Sequence, residues 1–111
     1  MALDAKYLYV VMMDVEPDKE ALFNEIYDKE HVPVLLKVPG VLGAARYKTS
    51  DEASPRYLAI YEVESPDVPH SEAFRKASDS GDWPTKVRPY TKNRSRIIYT
   101  QIEGSAKSSK S

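Results

Sequence analysis

The chain has 111 residues, of which 41% are hydrophobic and 30% charged, a length and composition typical of one globular domain. Its formal net charge of -1 gives no indication of a nucleic-acid or membrane-surface partner. The absence of cysteine excludes disulfides and cysteine metal ligands, and we expect a cytoplasmic protein because neither a signal peptide nor a membrane-spanning run is evident.

The first half of the sequence begins with a predicted strand and helix. Residues 6–15 are apolar in both alternating sets of positions, which predicts a strand covered on both faces. A helix is predicted from Pro17, a residue suited to the first helical position. Val32 precedes Pro33, and a residue before proline disfavours helical geometry, so we expect the helix to end or kink near His31.

Two further strands are predicted around a polar turn, after a short additional helical turn at residues 34–38. Residues 41–49 form the first of them, and Gly43 within it indicates a bulge or a close backbone contact. Residues 56–64 form the second. The short turn between the two favours a hairpin.

The last part of the chain predicts a second helix and a fourth strand. Ser71 is a good N-cap for the helix. Residues 83–90 are predicted to be irregular, and residues 91–102 to form the strand. We assign residues 1–103 to one domain and the Ser/Lys-rich residues 104–111 to a disordered tail.

The predicted order of elements is βαββαβ. This order indicates an α+β, ferredoxin-like fold, with a four-stranded antiparallel sheet and both helices on one face. The strands are also apolar on the face that the helices leave open. Because an exposed apolar sheet is unfavourable in water, we expect two copies of the chain to pack face to face as a homodimer.

Several stretches form a pattern that goes beyond element order. They are FNEIYDKEHVP (23–33), VPGV (38–41), ARY (45–47), PRYLAIYE (55–62) and SEAF (71–74), followed by Trp83. This pattern resembles the dimeric α+β barrel superfamily of ferredoxin-like proteins, and within it the EthD-like proteins and related short bacterial proteins of uncertain function. The resemblance spans roughly residues 6–102.

The resemblance implies a homodimer and a small hydrophobic or aromatic ligand. Relatives in this superfamily include polyketide cyclases, cofactor-free quinone-forming monooxygenases, muconolactone isomerases and heme-degrading enzymes. We therefore expect no cofactor. Heme is the alternative, and His31 would then be the residue proposed to ligate its iron.

His31 is the main candidate for acid/base catalysis, because a histidine normally titrates near neutral pH. A helix C-terminus and the neighbours Asp28 and Glu30 would favour its charged form. Tyr27 lies four residues earlier on the helix, so it could orient the imidazole or donate to a substrate oxygen. The alternatives are that His31 hydrogen-bonds the last helix carbonyls and that Tyr27 is an interior side chain.

The chain contains eight tyrosines, and several fall on predicted strands. Tyr61 and Tyr57 share one strand face, whereas Arg46 and Tyr47 lie on opposite faces of the preceding strand. An inward Tyr or Arg could stabilise an enolate or phenolate oxygen, so we select Tyr61 as catalytic and Tyr57, Arg46 and Tyr47 as ligand-binding. Cross-strand aromatic packing is the alternative explanation for each of them.

Trp83 is the fourth candidate ligand-binding residue, since it could cover a cavity by stacking on an aromatic ring or could pin its own loop to the core. His70 is expected to be exposed. With two histidines and no regular carboxylate spacing around them, we predict no metal site. A basic cluster near the last strand is interpreted as solvated edge charges; it consists of Arg88, Lys92, Arg94 and Arg96.

Two functions are consistent with these residues. The first is a cofactor-free enzyme that acts on a small aromatic or polyketide-like molecule by acid/base chemistry, as a cyclase, isomerase or monooxygenase. The second is a non-catalytic dimeric protein that binds a small ligand or supports a partner enzyme. A cavity that opens onto His31 would favour the first, and a sealed His31 the second.

Overall fold

The structure is a computed structural model that describes residues 5–104. Within this range the chain forms β1 (Tyr7–Val15), α1 (Glu20–Ile26), α2 (Val32–Leu36), β2 (Val41–Lys48), β3 (Tyr57–Val63), α3 (Glu72–Ser78) and β4 (Thr91–Thr100). None of the helices in this range is long and apolar enough to cross a membrane. The predicted tail lies outside the described residues from position 105 onward.

The four strands form one antiparallel sheet in the order β2-β3-β1-β4. β2 and β3 are the predicted hairpin, in which Val41 pairs with Val63 and Lys48 with Tyr57. Helices follow β1 and β3, so the element order is βαββαβ as predicted. The α+β, ferredoxin-like fold is therefore confirmed.

The core lies between the helices and one face of the sheet. Phe23, Leu35 and Tyr61 are its most enclosed large side chains, each no more than 2% exposed. Tyr9 on the central strand β1 pairs with Tyr61 on one side and Ile98 on the other. Burying one such side chain stabilises the fold by about 1.5–3 kcal/mol, so this aromatic layer is a main source of stability.

The opposite face of the sheet, which we call the open sheet face, is also apolar. Cross-strand pairing groups its side chains, which are Leu8, Val10, Met12, Ala45, Tyr47, Leu58, Ile60, Ile97 and Tyr99. Tyr47 is 57% exposed, Tyr99 48% and Ile97 41%. A contiguous apolar surface of this kind is typical of an interaction site.

The chain stays helical at His31, so of the two expected outcomes, an end or a kink of the helix, the end is not observed. α1 continues into a π-helical turn at Tyr27–His31, and α2 begins at Val32, whose φ of -61° and ψ of -49° are helical. In a regular α-helix the ring of Pro33 would meet the carbonyl four residues earlier. The wider π-helical turn accommodates this proline, so the pre-proline preference is overridden.

The segment predicted to be irregular after α3 is helical as well. It forms a second π-helical turn at Trp83–Val87 and a 3-10 turn at Arg88–Tyr90. Pro84 and Pro89 lie at the starts of these two turns, where proline is tolerated because the missing N–H would have no helical acceptor. The prediction of an irregular segment was wrong, because a proline at the start of a helical turn does not interrupt it.

Two bulges adjust the sheet. The first lies between Val41 and Gly43, which confirms the bulge that was one of the two features predicted for this glycine. A Cβ at Gly43 would be 2.6 Å from Oε1 of the Glu62 side chain. The second shifts the β1–β4 register between Met12 and Asp14. It sets Asn93 and Arg94 of β4 opposite Met13, and Asn93 takes up a positive φ of 56°.

Asp14 ties this second bulge to the turn between β2 and β3. Its carboxylate accepts hydrogen bonds from Asn93 Nδ2 at 2.8 Å, from the Arg56 backbone N–H at 2.8 Å, and from Ser54 Oγ. Burial would raise the pKa of this carboxyl, but the hydrogen bonds outweigh burial and lower the pKa below its usual value. We call this group of contacts the Asp14 clamp.

We expect Asp14→Ala to lower the free energy of unfolding by about 2–3 kcal/mol, because it leaves partly buried donors of Arg56 and Asn93 without their acceptor. Urea denaturation at neutral pH measures this change. Asp51→Ala, which removes an exposed carboxylate from the same β2–β3 turn, is the control and should leave stability nearly unchanged. Equal losses in the two variants would show that the clamp has no special role.

Candidate functional site

Four of the residues selected from the sequence surround one cavity. His31, Tyr27, Tyr61 and Trp83 all line a space of about 700 Å³ between the helices and the sheet. Aromatic and aliphatic side chains complete its interior, namely Tyr9, Val11, Met13, Leu35, Phe74 and Ile98. A cavity of this size with an apolar wall and a few polar groups is typical of small-molecule sites.

His31 lies within a cluster of aromatic rings. Its imidazole stacks on Trp83 with 4.2 Å between ring centroids and 17° between planes, and the ring of Tyr27 meets it nearly perpendicularly at 5.2 Å. The side chain is 5% exposed, and its Nδ1 has no hydrogen-bond partner among the described residues. An unpaired buried polar atom costs about 1–3 kcal/mol, so the fold carries this penalty at His31.

The position of Trp83 is set by the residue beside His31. Glu30 Oε1 accepts a hydrogen bond from the backbone N–H of Asp82. Gly81 has a φ of +68°, and a Cβ at this position would collide with the Glu30 carboxylate. Two contacts therefore join the π-helical turn at Tyr27–His31 to the one at Trp83–Val87. One is the hydrogen bond from the Asp82 backbone to Glu30, and the other is the stacking of His31 on Trp83.

His31 is electrically neutral at neutral pH. Burial lowers its pKa from 6.5 to about 4, and the positive charges of Arg88 and Arg96 act in the same direction. The sequence indicated the charged form because Asp28 and Glu30 are close in the chain. That expectation was wrong, since burial and two arginines determine the pKa and neither carboxylate contributes to it.

Tyr27 and Tyr61 form a hydrogen-bonded pair of neutral phenols. Tyr61 Oη donates to Tyr27 Oη at 3.2 Å, and the two side chains are 1% and 3% exposed. Burial raises the pKa of both hydroxyls above the ordinary value of 10.0. Tyr27 keeps its own hydroxyl proton for donation, so the site combines a neutral imidazole with a neutral O–H donor.

Three other candidates lie elsewhere. Arg46, Tyr57 and Tyr47 border a separate, more open depression. The Arg46 guanidinium lies 4.3 Å from the ring centroid of Tyr27 and braces that ring from behind the cavity. Tyr47, at 57% exposure, belongs to the open sheet face. The structure therefore does not bring these residues to His31.

The rim of the cavity contains arginines that sequence reasoning did not select. Arg88, Arg94 and Arg96 line the cavity together with Arg75 of α3. Arg94 and Arg96 are also exposed on the edge strand β4, which agrees with their interpretation as solvated edge charges. The sequence contained one indication of this arrangement. Arg94 and Arg96 are two residues apart, which places both side chains on the same face of a strand. The two-residue period of a strand does not show which of its faces meets the helices. Lys92, which belongs to the same basic cluster, does not line the cavity.

Comparisons with known proteins identify relatives by structure alone, since no family model and no curated protein matches the sequence. A protein from Bordetella bronchiseptica, described as an antibiotic biosynthesis monooxygenase, is 21% identical with a TM-score of 0.71 over 89% of this chain and 99% of that one. An EthD family protein from Bacillus halodurans is 12% identical with a TM-score of 0.61, over 86% and 99%. The resemblance seen in the sequence is thereby confirmed at the level of the fold.

Two further neighbours differ in their chemistry. A variant of SnoaB, a cofactor-independent oxygenase from Streptomyces nogalater, is 17% identical with a TM-score of 0.61 over 89% of this chain and 97% of that one. MhuD, a heme-degrader from Mycobacterium tuberculosis with two hemes in its active site, is 15% identical with a TM-score of 0.57 over 90% and 99%. The shared fold therefore occurs with and without a cofactor.

His31 does not fit the role of heme ligand. An iron ligand must present a nitrogen with clear space around it for the porphyrin, whereas His31 is 5% exposed and stacked on Trp83. His70 is exposed, as expected, and lies at the rim. Among residues 5–104, no group of three or more His, Asp or Glu side chains is placed to hold a metal ion.

The low pKa of His31 makes stability depend on pH. The unfolded chain binds a proton at this histidine near pH 6.5 and the folded chain only near pH 4, so stability is full above 6.5 and declines as the pH falls toward 4. We expect a loss of about 2–3 kcal/mol between neutral pH and about pH 4.5, measured by urea denaturation.

The matched variants for this prediction are His31→Phe and His70→Gln. The phenylalanine keeps an aromatic ring against Trp83 but cannot titrate, so the dependence over this pH range should flatten. His70→Gln, at the exposed histidine, should retain it. An unchanged slope in His31→Phe would show that His31 is not the group responsible.

Proposed function

We propose that the protein is a cofactor-free cytoplasmic enzyme that acts on a small aromatic or polyketide-like molecule by acid/base chemistry. The observation that supports this most directly is the cavity, whose aromatic wall includes a neutral, unpaired histidine beside a phenol donor. The catalytic residues are His31, Tyr27 and Tyr61. Trp83 contributes a flat surface for the ligand ring.

The first chemical step is removal of a proton from an acidic C–H group of the substrate. The C–H bond breaks, a new N–H bond forms on His31, and the electron pair moves to the adjacent carbonyl oxygen as an enolate. Tyr27 donates its O–H to that oxygen, while Tyr61 holds Tyr27 in place. Cyclisation, isomerisation and reaction with oxygen all begin from such an enolate.

The structural neighbours support this class of function in general terms. They include proteins described as monooxygenases and a cofactor-independent oxygenase, SnoaB. The enclosure of His31 favours chemistry without heme in this chain. A heme titration followed by absorbance checks this: we expect no saturable shift of the heme band, and a shift abolished in His31→Phe would reverse the assignment.

The second candidate is a non-catalytic small-ligand-binding or accessory protein. The observation that favours it is the pKa of His31, about 4, because a base is most effective when its pKa lies near the working pH. The two functions share the cavity and its ligand class, and they differ in whether proton transfer occurs.

Proton transfer is measured by the rate at which an anthrone-type compound exchanges its acidic C–H for deuterium, followed by NMR. We expect the protein to accelerate exchange and His31→Asn to lower that acceleration by about 10²–10⁴-fold, the usual contribution of a general base. Lys92→Gln, at an exposed residue that does not line the cavity, is the control and should retain the wild-type rate.

Each result distinguishes the candidates. Equal acceleration in His31→Asn and in the wild type would remove His31 from the mechanism. Binding of the compound without any acceleration would favour the non-catalytic protein. Circular dichroism and thermal melting of the variant confirm that a lost rate does not come from a lost fold.

We propose further that the protein forms a homodimer through the open sheet face. The support is the apolar character of that face, where three large side chains are 41–57% exposed: Tyr47, Ile97 and Tyr99. Packing a second copy there removes this surface from water and relates the two sheets by a two-fold axis.

Sedimentation at micromolar concentration tests the dimer. We expect the wild type to sediment as a dimer and Tyr47→Glu/Ile97→Glu as a folded monomer, because two buried charges per copy oppose association. Leu36→Glu is the control, since Leu36 is similarly exposed at 43% but lies on α2. A monomeric wild type, or equal dissociation of both variants, would contradict the proposed interface.

A further inference from the structure

We propose that the ligand of this cavity is an aromatic or polyketide-like acid whose carboxylate is bound by the rim arginines, chiefly Arg96 and Arg94. The proposal rests on the proposed use of the cavity and specifies its substrate class. Arg94 and Arg96 thereby receive a role in ligand binding, whereas the acid/base mechanism involves only His31, Tyr27 and Tyr61.

Positive charge is concentrated at the rim of this cavity. The cavity lining contains Arg75, Arg88, Arg94 and Arg96 but a single carboxylate, Asp79. The chain as a whole has a formal net charge of -1, so this positive rim is a local feature and not a consequence of composition. A cleft lined by one sign of charge raises the local concentration of an oppositely charged ligand.

Three of these four guanidinium groups, those of Arg75, Arg94 and Arg96, are unengaged within residues 5–104. Arg88 is held by Asp79 Oδ1 at 2.8 Å and by the Ser78 carbonyl at 3.1 Å. For Arg94 and Arg96, no ion pair or side-chain hydrogen bond is formed with residues 5–104. They remain available as planar donors, whose geometry matches a carboxylate.

The sheet positions the two arginines of β4. Arg96 is paired with Val11, so it projects from the helix side of β4 toward the cavity. The bulge places Arg94 opposite Met13, a further lining residue. Asn93, next to Arg94, is anchored by the Asp14 clamp at 2.8 Å.

The orientation of the ligand follows from the distribution of residue types. The interior side of the cavity carries the aromatic rings, including Trp83 and Tyr27, whereas the arginines of β4 lie along the rim. An aryl acid satisfies both parts at once, with its ring against the aromatic wall and its carboxylate at the rim. A neutral ring compound would leave the arginines without a partner.

A bound carboxylate would also improve His31 as a base. The positive charges of Arg88 and Arg96 are two of the causes that lower the pKa of His31. An anion beside these arginines offsets their effect and moves the pKa upward, toward the working pH. The other charged or titratable groups that line the cavity are His70, Arg75, Asp79, Arg94, Tyr9, Tyr27 and Tyr61.

A matched ligand pair tests the proposal. 2-Naphthoate and its neutral amide, 2-naphthamide, have the same ring system and nearly the same shape, and they differ in the negative charge. Binding is followed by NMR through the indole N–H signal of Trp83, which is the one tryptophan of the chain and lines the cavity. We expect naphthoate to bind at least about tenfold more tightly than the amide, and this preference to shrink at high salt.

Arg96→Gln and Lys92→Gln are the matched variants. Each removes one positive charge from β4, but Arg96 lines the cavity and Lys92 does not. Arg96→Gln should reduce the preference for naphthoate to about threefold or less, and Lys92→Gln should retain it. Both side chains are exposed, so neither change should disturb the fold.

The outcomes separate this proposal from the proposed function. Equal affinity for the two ligands would overturn the carboxylate assignment while the cavity's role as an aromatic site stands. An equal loss of preference in both variants would overturn the rim assignment in favour of general surface charge. If neither ligand moves the indole signal, the proposed function fails together with this inference.

Discussion

The stacking of Trp83 on His31 is the contact on which the rest of the site depends. It joins the helical layer that follows β1 to the segment that leads into β4, and Glu30 reinforces the junction through the backbone of Asp82. The same contact excludes water from the imidazole and makes it neutral. Without it, the cavity would lose one wall and His31 would lose the burial that sets its charge state.

A buried imidazole with an unpaired Nδ1 is a local cost that the fold carries. Such costs persist where the surrounding structure is firm enough to impose them, and they often mark sites where a ligand completes the missing interaction. Around His31, the rigid surroundings are two π-helical turns and an aromatic layer that includes Phe23 and Tyr61.

The two faces of the sheet have different physical roles. The helix side holds the core and, toward β4, the cavity with its arginines. The open sheet face holds apolar side chains suited to a second copy of the chain. The Asp14 clamp connects these roles, because it fixes the bulge that directs Arg94 and at the same time secures the turn between β2 and β3.

The sequence alone determined the strand and helix order, the hairpin, the Ser71 cap and the bulge at Gly43, because these follow from local periodicity and backbone preference. It also selected four residues that meet in space. Only the tertiary structure decided the charge of His31 and the position of Arg96 at the cavity. The pKa of His31 depends on its burial and on arginines that are far from it in the chain. The alternation of side chains along β4 does not determine which of its faces meets the helices, and so does not place Arg96.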